Sequence, residues 1–292
     1  MKVTLLGTGT PLPSMQRFGT STLIEAGGRR VLLDCGRGTV LRLSEIGIPI
    51  GSIDAVIFSH FHSDHYAGLP DLLMTGALPA SWGGRQTQLR VSGPEGVRSV
   101  VEGLWTFTAA DRKIRVADNE ITEDCHQVAV TEFSEGVVFD ECGLKITAIE
   151  VDHGEFVKPA FGFRVEFGGR VLVHSHDTRY SENLVRQAQG ADVLIHEVAM
   201  ARPETLERHS HTRTVLEHHI TPREVGQVFD SVRPHLAILT HVVLMGPNPP
   251  LLEDMLAEMA ETYRQPVMVA HDLMVIRLGK SISVCSAMVE RG

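Results

Sequence analysis

Between residues 59 and 65 the chain reads Ser59-His60-Phe61-His62-Ser63-Asp64-His65. Three imidazoles and a carboxylate in so short a stretch make a dense set of nitrogen and oxygen donors. Zinc accepts both, keeps an open position in catalytic sites, and lowers the pKa of bound water to roughly 7. In extended backbone alternate side chains share a face, so His60, His62 and Asp64 are expected to converge while His65 points to a neighbouring position. That spacing suits two adjacent metals better than one, with a bridging hydroxide available at neutral pH. A helix cap or solvated loop would account for one histidine, but not for this cluster. Manganese or iron would also fit a site of nitrogen and oxygen donors.

The elements around the cluster must position it. Ala55 to Phe58 is a buried-strand pattern running into the motif, and a helix is expected after it, over 66–78. Further short, β-branched runs lie at 3–6, 21–25, 30–33 and 144–151. Helical spacing recurs at 38–46, 96–107, 181–189, 222–231 and 251–263. Two segments echo each other. Leu23 to Asp34 reads as strand, Gly27-Gly28-Arg29 turn, strand, aspartate, and Phe163 to Asp177 repeats the order around Gly168-Gly169-Arg170. Each is predicted to be a hairpin that delivers an acid at a strand end. Coincidence between two ordinary hairpins is the alternative, since Gly-Gly turns are common. Two such β-rich halves suit two sheets packed face to face with helices outside.

Size and composition set the remaining bounds. At 292 residues and 43% hydrophobic content the chain can bury a large core, and with no linker or low-complexity tract it reads as one domain over 1–292. The first residues run as a strand into a glycine turn, unlike a signal peptide, and no run is long enough to span a bilayer, so no membrane partner is expected. Cysteines at 35, 125, 142 and 285 are too scattered for a disulfide framework, which fits a reduced, cytoplasmic setting. A net charge of -9 opposes non-specific attraction to nucleic acid.

The histidine cluster resembles the His-x-His-x-Asp-His signature of the metallo-β-lactamase superfamily. The resemblance extends over nearly the whole chain: Leu6-Gly7-Thr8-Gly9-Thr10, then Asp34-Cys35-Gly36, the motif itself, His153, Asp177-Thr178 and Leu239-Thr240-His241, in order. It implies an αββα sandwich, an α/β fold with two mixed β-sheets. It further implies that His60, His62 and His153 hold one zinc, that Asp64, His65 and His241 hold the other, and that Asp177 bridges them. Taken singly, His153 could be a surface turn residue, Asp177 a hairpin cap and His241 a strand-end histidine. By the same resemblance, Asp34, Ser59 and Thr240 are expected to orient imidazoles through hydrogen bonds. Aspartate rather than cysteine at 64, with His219-Ile220-Thr221 ahead of the last ligand, is similar to the ribonuclease Z and arylsulfatase-like branch. The catalytic candidates are thus Asp64 and His219, the latter as general acid. The alternative for His219 is that it only precedes a helix capped by Thr221-Pro222. A homodimer is also implied.

Two departures stand out. Members that process tRNA carry a flexible arm with a basic, glycine-rich tip; Gly93-Pro94-Glu95-Gly96 is similar to the segment before it, yet a helix and the acidic stretch 118–124 follow. The family usually has a small residue before the bridging aspartate, where this chain has His176: a pocket histidine, an extra metal contact, or a substitution without a role. The segment with His209-Ser210-His211 and His218-His219 reads as a solvated lid or loop rather than a metal store. His271-Asp272 reads as a strand-end turn packed near the site. Trp82, Trp105 and Phe107 either line a pocket or, as aromatics more commonly do, fill the core.

The expected function is hydrolysis by a dinuclear zinc centre of a small ester-like substrate: a carboxylic ester, lactone, sulfate ester or phosphodiester. One alternative is a ribonuclease Z-like phosphodiesterase acting on RNA 3′ ends, with RNA the less favoured partner. The other is a non-catalytic metal-binding or regulatory module.

Overall fold

A computed structural model of the chain describes residues 1–79, 81, 83–85, 87–122, 124 and 127–287. Trp82 and Cys125 lie outside them. Cys35 is buried, Cys142 exposed and Cys285 half-buried. The chain divides into two compact units, one of Met1–Ser134, Glu141–Gly143 and His271–Gly292, the other of Glu135–Asp140 and Leu144–Ala270.

The first unit carries strands β1 (Lys2–Gly7), β2 (Ser21–Ala26), β3 (Arg29–Leu33), β4 (Ala55–Ile57), β5 (Leu89–Gly93), β6 (Val128–Glu132), β14 (Met274–Leu278) and β15 (Ile282–Ser286). They form a mixed sheet in the order β15-β14-β1-β2-β3-β4-β5-β6. β3, β4, β5 and β6 run parallel, so each needs a crossover, and helices Thr39–Glu45, Leu69–Ala77 and Val97–Phe107 supply them. Their apolar sides, through Leu43, Leu72, Leu73, Val97 and Leu104, bury against Leu32, Val56 and Val91 of the sheet. Truncating one of these leucines to alanine costs about 2–5 kcal/mol.

The second unit has strands β7 (Gly136–Glu141), β8 (Leu144–Val151), β9 (Ala160–Phe167), β10 (Arg170–His174), β11 (Val193–Ala201), β12 (Leu236–Met245) and β13 (Val267–Val269). Their order is β13-β12-β11-β10-β9-β8-β7. Helices Glu182–Gln187, Pro222–Val232 and Leu252–Met259 join the core through Leu184, Val225, Phe229 and Met255, packed with Val173, Leu194 and Leu239.

The echo between the two hairpins is a repeat of topology. In each unit an antiparallel pair, β2–β3 or β9–β10, is followed by strands added in parallel, β4 and β5 or β11 and β12. Both hairpins turn on two left-handed glycines, Gly27 and Gly28 at φ 58 and 75, and Gly168 and Gly169 at φ 59 and 76. This backbone twist matches that of the flanking strands, and it requires φ above zero at both central residues.

One expectation changes here. Residues 203–216 form two short helices, Pro203–Arg208 and Ser210–Leu216, instead of a loop, with Pro203 preset for the first helical turn and His209 and His211 exposed. Asp272 lies in the turn that leads into β14, as its place at a strand end led one to expect. It accepts hydrogen bonds from Thr8 N and Oγ1, Phe18 N and the Arg42 guanidinium, clasping the loop after β1. Trp105 is half-buried under the Arg112 guanidinium, 3.5 Å from its ring centroid, and Phe107 is 72% exposed, so neither is a core residue.

Candidate metal centre

In both units the chemistry-bearing residues gather toward the carboxyl ends of the parallel strands. In the first unit Asp34 follows β3 in a left-handed conformation, φ 58, and is fully buried. Its two oxygens accept from Ser59 N at 2.8 Å and Ser59 Oγ at 2.8 Å, and its Oδ2 lies 2.6 Å from His65 Nδ1. A proton held on Nδ1 toward Asp34 leaves the lone pair of His65 on Nε2, which faces Asp64 Oδ2 at 3.5 Å. Ser59 Oγ lies 3.0 Å from His60 Nδ1, which by the same logic directs His60 Nε2 toward His62 Nδ1, 3.1 Å away.

The motif is not extended throughout. His62 is the N-cap of a short helix, Ser63–Tyr66, and Asp64 and His65 lie inside that helix. Alternation along a strand therefore explains only His60 and His62, and a helical turn explains the Asp64–His65 pair. Space for the turn comes from glycine. A Cβ on Gly36 would stand 2.2 Å from the Asp64 carbonyl oxygen, and one on Gly19 2.8 Å from it.

In the second unit His153 donates from Nδ1 to the carbonyl of His218 at 2.8 Å, so its Nε2 faces Asp177 Oδ2 at 3.8 Å. The same oxygen lies 3.4 Å from His241 Nε2. One carboxylate oxygen thus stands between two imidazole nitrogens. Asp177, His219 and His241 bring ligand atoms within 4.8 Å of one another. His241 has φ 44 and sits where the β11–β12 register shifts between His196 and Val198, a bulge that turns its ring out of the ladder. Thr240 is buried beside it.

His176 also has a left-handed backbone, φ 48, a region that glycine takes without steric cost. Histidine is among the residues that tolerate that region best. Its ring stacks on His174 at 4.0 Å and meets Phe163 edge-on at 5.2 Å. The His176 amide donates to His174 Nδ1, which withdraws that nitrogen from ligation.

Sequence reasoning missed Glu197. It is fully buried in β11, and its Oε1 accepts from Thr178 N at 3.0 Å and pairs with His219 Nδ1 at 2.8 Å. Burial raises its carboxyl pKa, and the adjacent His219 opposes that rise. A His-Glu pair interrupting the apolar run 193–201 was the signal, because a charged side chain inside a buried strand needs a partner. Neighbouring His196 is pushed down to about 4 by burial. His218 is lowered, by burial first and then by His219 and Arg179.

Residues 29–242 match the family described as Beta-lactamase superfamily domain. The chain is 34% identical to a ribonuclease Z of Mycobacterium sp. (strain KMS) over 241 residues, 82% of this chain and 84% of that protein. It is similar to human short-form tRNase Z, with TM-score 0.70, 25% identity and 96% and 100% of the two chains covered. It also shares the fold of the metallo-β-lactamase fold protein YhfI from Bacillus subtilis, with TM-score 0.71, 20% identity and 94% and 98% coverage.

Proposed function

We propose, for a chain that belongs to the metallo-β-lactamase superfamily and to its ribonuclease Z branch, that the bond it hydrolyses is a phosphodiester. It has the superfamily's α/β fold and is a metal-dependent hydrolase. In this reading His60, His62 and His153 hold one divalent cation, Asp64, His65 and His241 a second, and Asp177 bridges them. Zinc is the favoured metal, with manganese or iron also compatible with these nitrogen and oxygen donors. When bound, such cations supply Lewis acidity and ionise water near neutral pH.

The observation that carries the reading is Asp177 Oδ2 standing 3.8 Å from His153 Nε2 and 3.4 Å from His241 Nε2. The chain's own residues do the rest. Asp34 and Ser59 fix the tautomers of His65 and His60, and the His218 carbonyl fixes that of His153. Glu197 orients His219, whose other ring nitrogen hands a proton to the leaving oxygen.

A small phosphodiester suits the chain's net charge of -9 and the helix pair Val97–Phe107 and Ala109–Ala117 that follows Gly96. The second reading, an RNA 3′ end, is favoured by the relatives' name, ribonuclease Z. The enzyme is proposed to work in the cytoplasm as a homodimer. Hydrolysis of bis(p-nitrophenyl) phosphate and of a 3′-extended RNA, each with chelator and after zinc return, tests the proposal. Chelator-sensitive, zinc-restored cleavage of a phosphodiester is expected; metal-independent turnover, or cleavage of carboxylic or sulfate esters alone, overturns it. A steep fall of RNA affinity with salt would select the RNA reading.

A further inference from the structure

We infer that Arg179 is a positioning residue that sets the imidazole of His219 for proton transfer, an inference that rests on the general-acid reading above. Three successive residues of one turn are held by three side chains from three places in the second unit. The Glu217 carbonyl accepts from Arg179 Nε, the His218 carbonyl accepts from His153 Nδ1 at 2.8 Å, and His219 Nδ1 meets Glu197 Oε1 at 2.8 Å.

Arg179 is itself fixed. Its amide donates to the Asp152 carbonyl at 2.7 Å, and its Nη1 lies 3.6 Å from Asp152 Oδ2. It stands two residues beyond Asp177, and Thr178 between them donates its amide to the same Glu197 oxygen that holds His219. The backbone leaving Asp177 is thereby tied to the turn carrying His219 at two points. One runs through the Glu197 carboxylate to the ring, and the other runs through the Arg179 guanidinium to the main chain. His153 and Glu197 are buried and held by packing, whereas Arg179 is 40% exposed and reaches the turn from outside. Removing it leaves the His218 and His219 contacts in place but frees the turn to tilt. A tilt of about 1 Å at a reacting group can cost roughly 100-fold in rate.

The step affected is departure of the alcohol. The P–O bond to the leaving oxygen breaks as water oxygen bonds to phosphorus. The water proton goes to solvent, and the leaving oxygen takes the Nε2 proton of His219, which solvent returns. A nitrophenolate departs without that proton; the alkoxide of a dinucleotide does not.

The test compares wild type, Arg179→Ala, Arg179→Lys and His219→Ala on bis(p-nitrophenyl) phosphate and on a uridylyl-uridine dinucleotide, with metal content and hydrogen exchange of residues 216–220 measured alongside. Arg179→Ala is expected to lose roughly 10- to 100-fold in kcat on the dinucleotide, with KM, metal content and nitrophenyl turnover within about twofold. Exchange in 216–220 should rise, and Arg179→Lys, which keeps a donor for the Glu217 carbonyl, should recover part of the loss. Equal losses on both substrates, or no loss and no change in exchange, would overturn the role of Arg179 while selective loss in His219→Ala upholds the general acid. Absence of selectivity in His219→Ala would instead remove the general-acid reading and this inference with it.

Discussion

Asp177 Oδ2 lies 3.4 Å from His241 Nε2, joining the residues just after β10 to a bulge in β12. No hydrogen-bonded ladder requires that approach, and His241 takes a left-handed backbone to make it. Strain of about 1–3 kcal/mol at such a residue persists only where the surroundings over-determine it, and functional sites are where it collects. Replacing Asp177 by alanine is expected to remove a bridging ligand, so bound metal should fall by at least one equivalent and turnover by about 10²-fold or more. Elemental analysis with steady-state rates on the same preparation checks both; full metal with wild-type turnover would refute the bridging role.

Asp34 fixes the ring of His65 through its 2.6 Å contact with Nδ1, and it also holds Ser59. Asp34→Ala should weaken metal affinity by about 10- to 100-fold while leaving every proposed ligand in place. Competition with a chromogenic chelator measures this. Unchanged affinity would mean that the imidazole orientation is set by packing alone.

How much of this was legible beforehand differs from residue to residue. The motif at 60–65 announced itself because four donors crowd one turn after an apolar strand. The hairpins at 23–34 and 163–177 were visible through their Gly-Gly turns, since only residues that accept φ above zero suit both central positions. Membership of the superfamily, the α/β fold and a metal-dependent hydrolase all followed from residues read in order, and the comparisons support them. Glu197 was not legible by that route. Its partner His219 is 22 residues away, and the two meet where the turn before Pro222 comes back to β11, the Ala199 amide donating to the Ile220 carbonyl. The assumption of extended backbone through Asp64 failed for a local reason, since His62 caps a helical turn with Asp64 in its first turn. Glycines 19 and 36 make room for that turn, and nothing in their own neighbourhood in the sequence says which carbonyl they meet.

Those glycines supply a packing prediction. A Cβ at Gly36 would stand 2.2 Å from the Asp64 carbonyl oxygen and 2.4 Å from Gly19 backbone carbon, with main chain on both sides and no flexible side chain to give way. Gly36→Ala is expected to cost about 1–3 kcal/mol of stability and to displace Asp64. Denaturant melts and metal binding should therefore move together; a stable variant with normal affinity would show that the backbone has slack there.

Glu197→Gln retains size while removing the carboxylate that pairs with His219. On a substrate with a poor leaving group it should lower kcat by about 10²- to 10⁴-fold, the range for loss of general acid–base assistance. Metal content should not change. Loss of metal instead would assign Glu197 to the ligand set and not to proton transfer.

Burial holds His196 neutral, with its pKa pushed down to about 4 from 6.5. The unfolded chain protonates this ring as pH falls below 6.5, and the folded protein resists doing so until about 4. The contribution is therefore complete above the unfolded value and is lost progressively toward the folded one, amounting to about 3 kcal/mol at most. Equilibrium unfolding between these two values should show stability falling with acidity, and His196→Gln should flatten the slope. An unaltered slope in the variant would assign the pH dependence to other groups.

The most direct measurement is elemental analysis of the purified, zinc-supplemented full chain after gel filtration, paired with His60→Ala and His241→Ala. The account predicts two equivalents of divalent metal per chain, with either variant retaining at most one. A metal-free wild-type protein, or stoichiometry untouched by both substitutions, would contradict it.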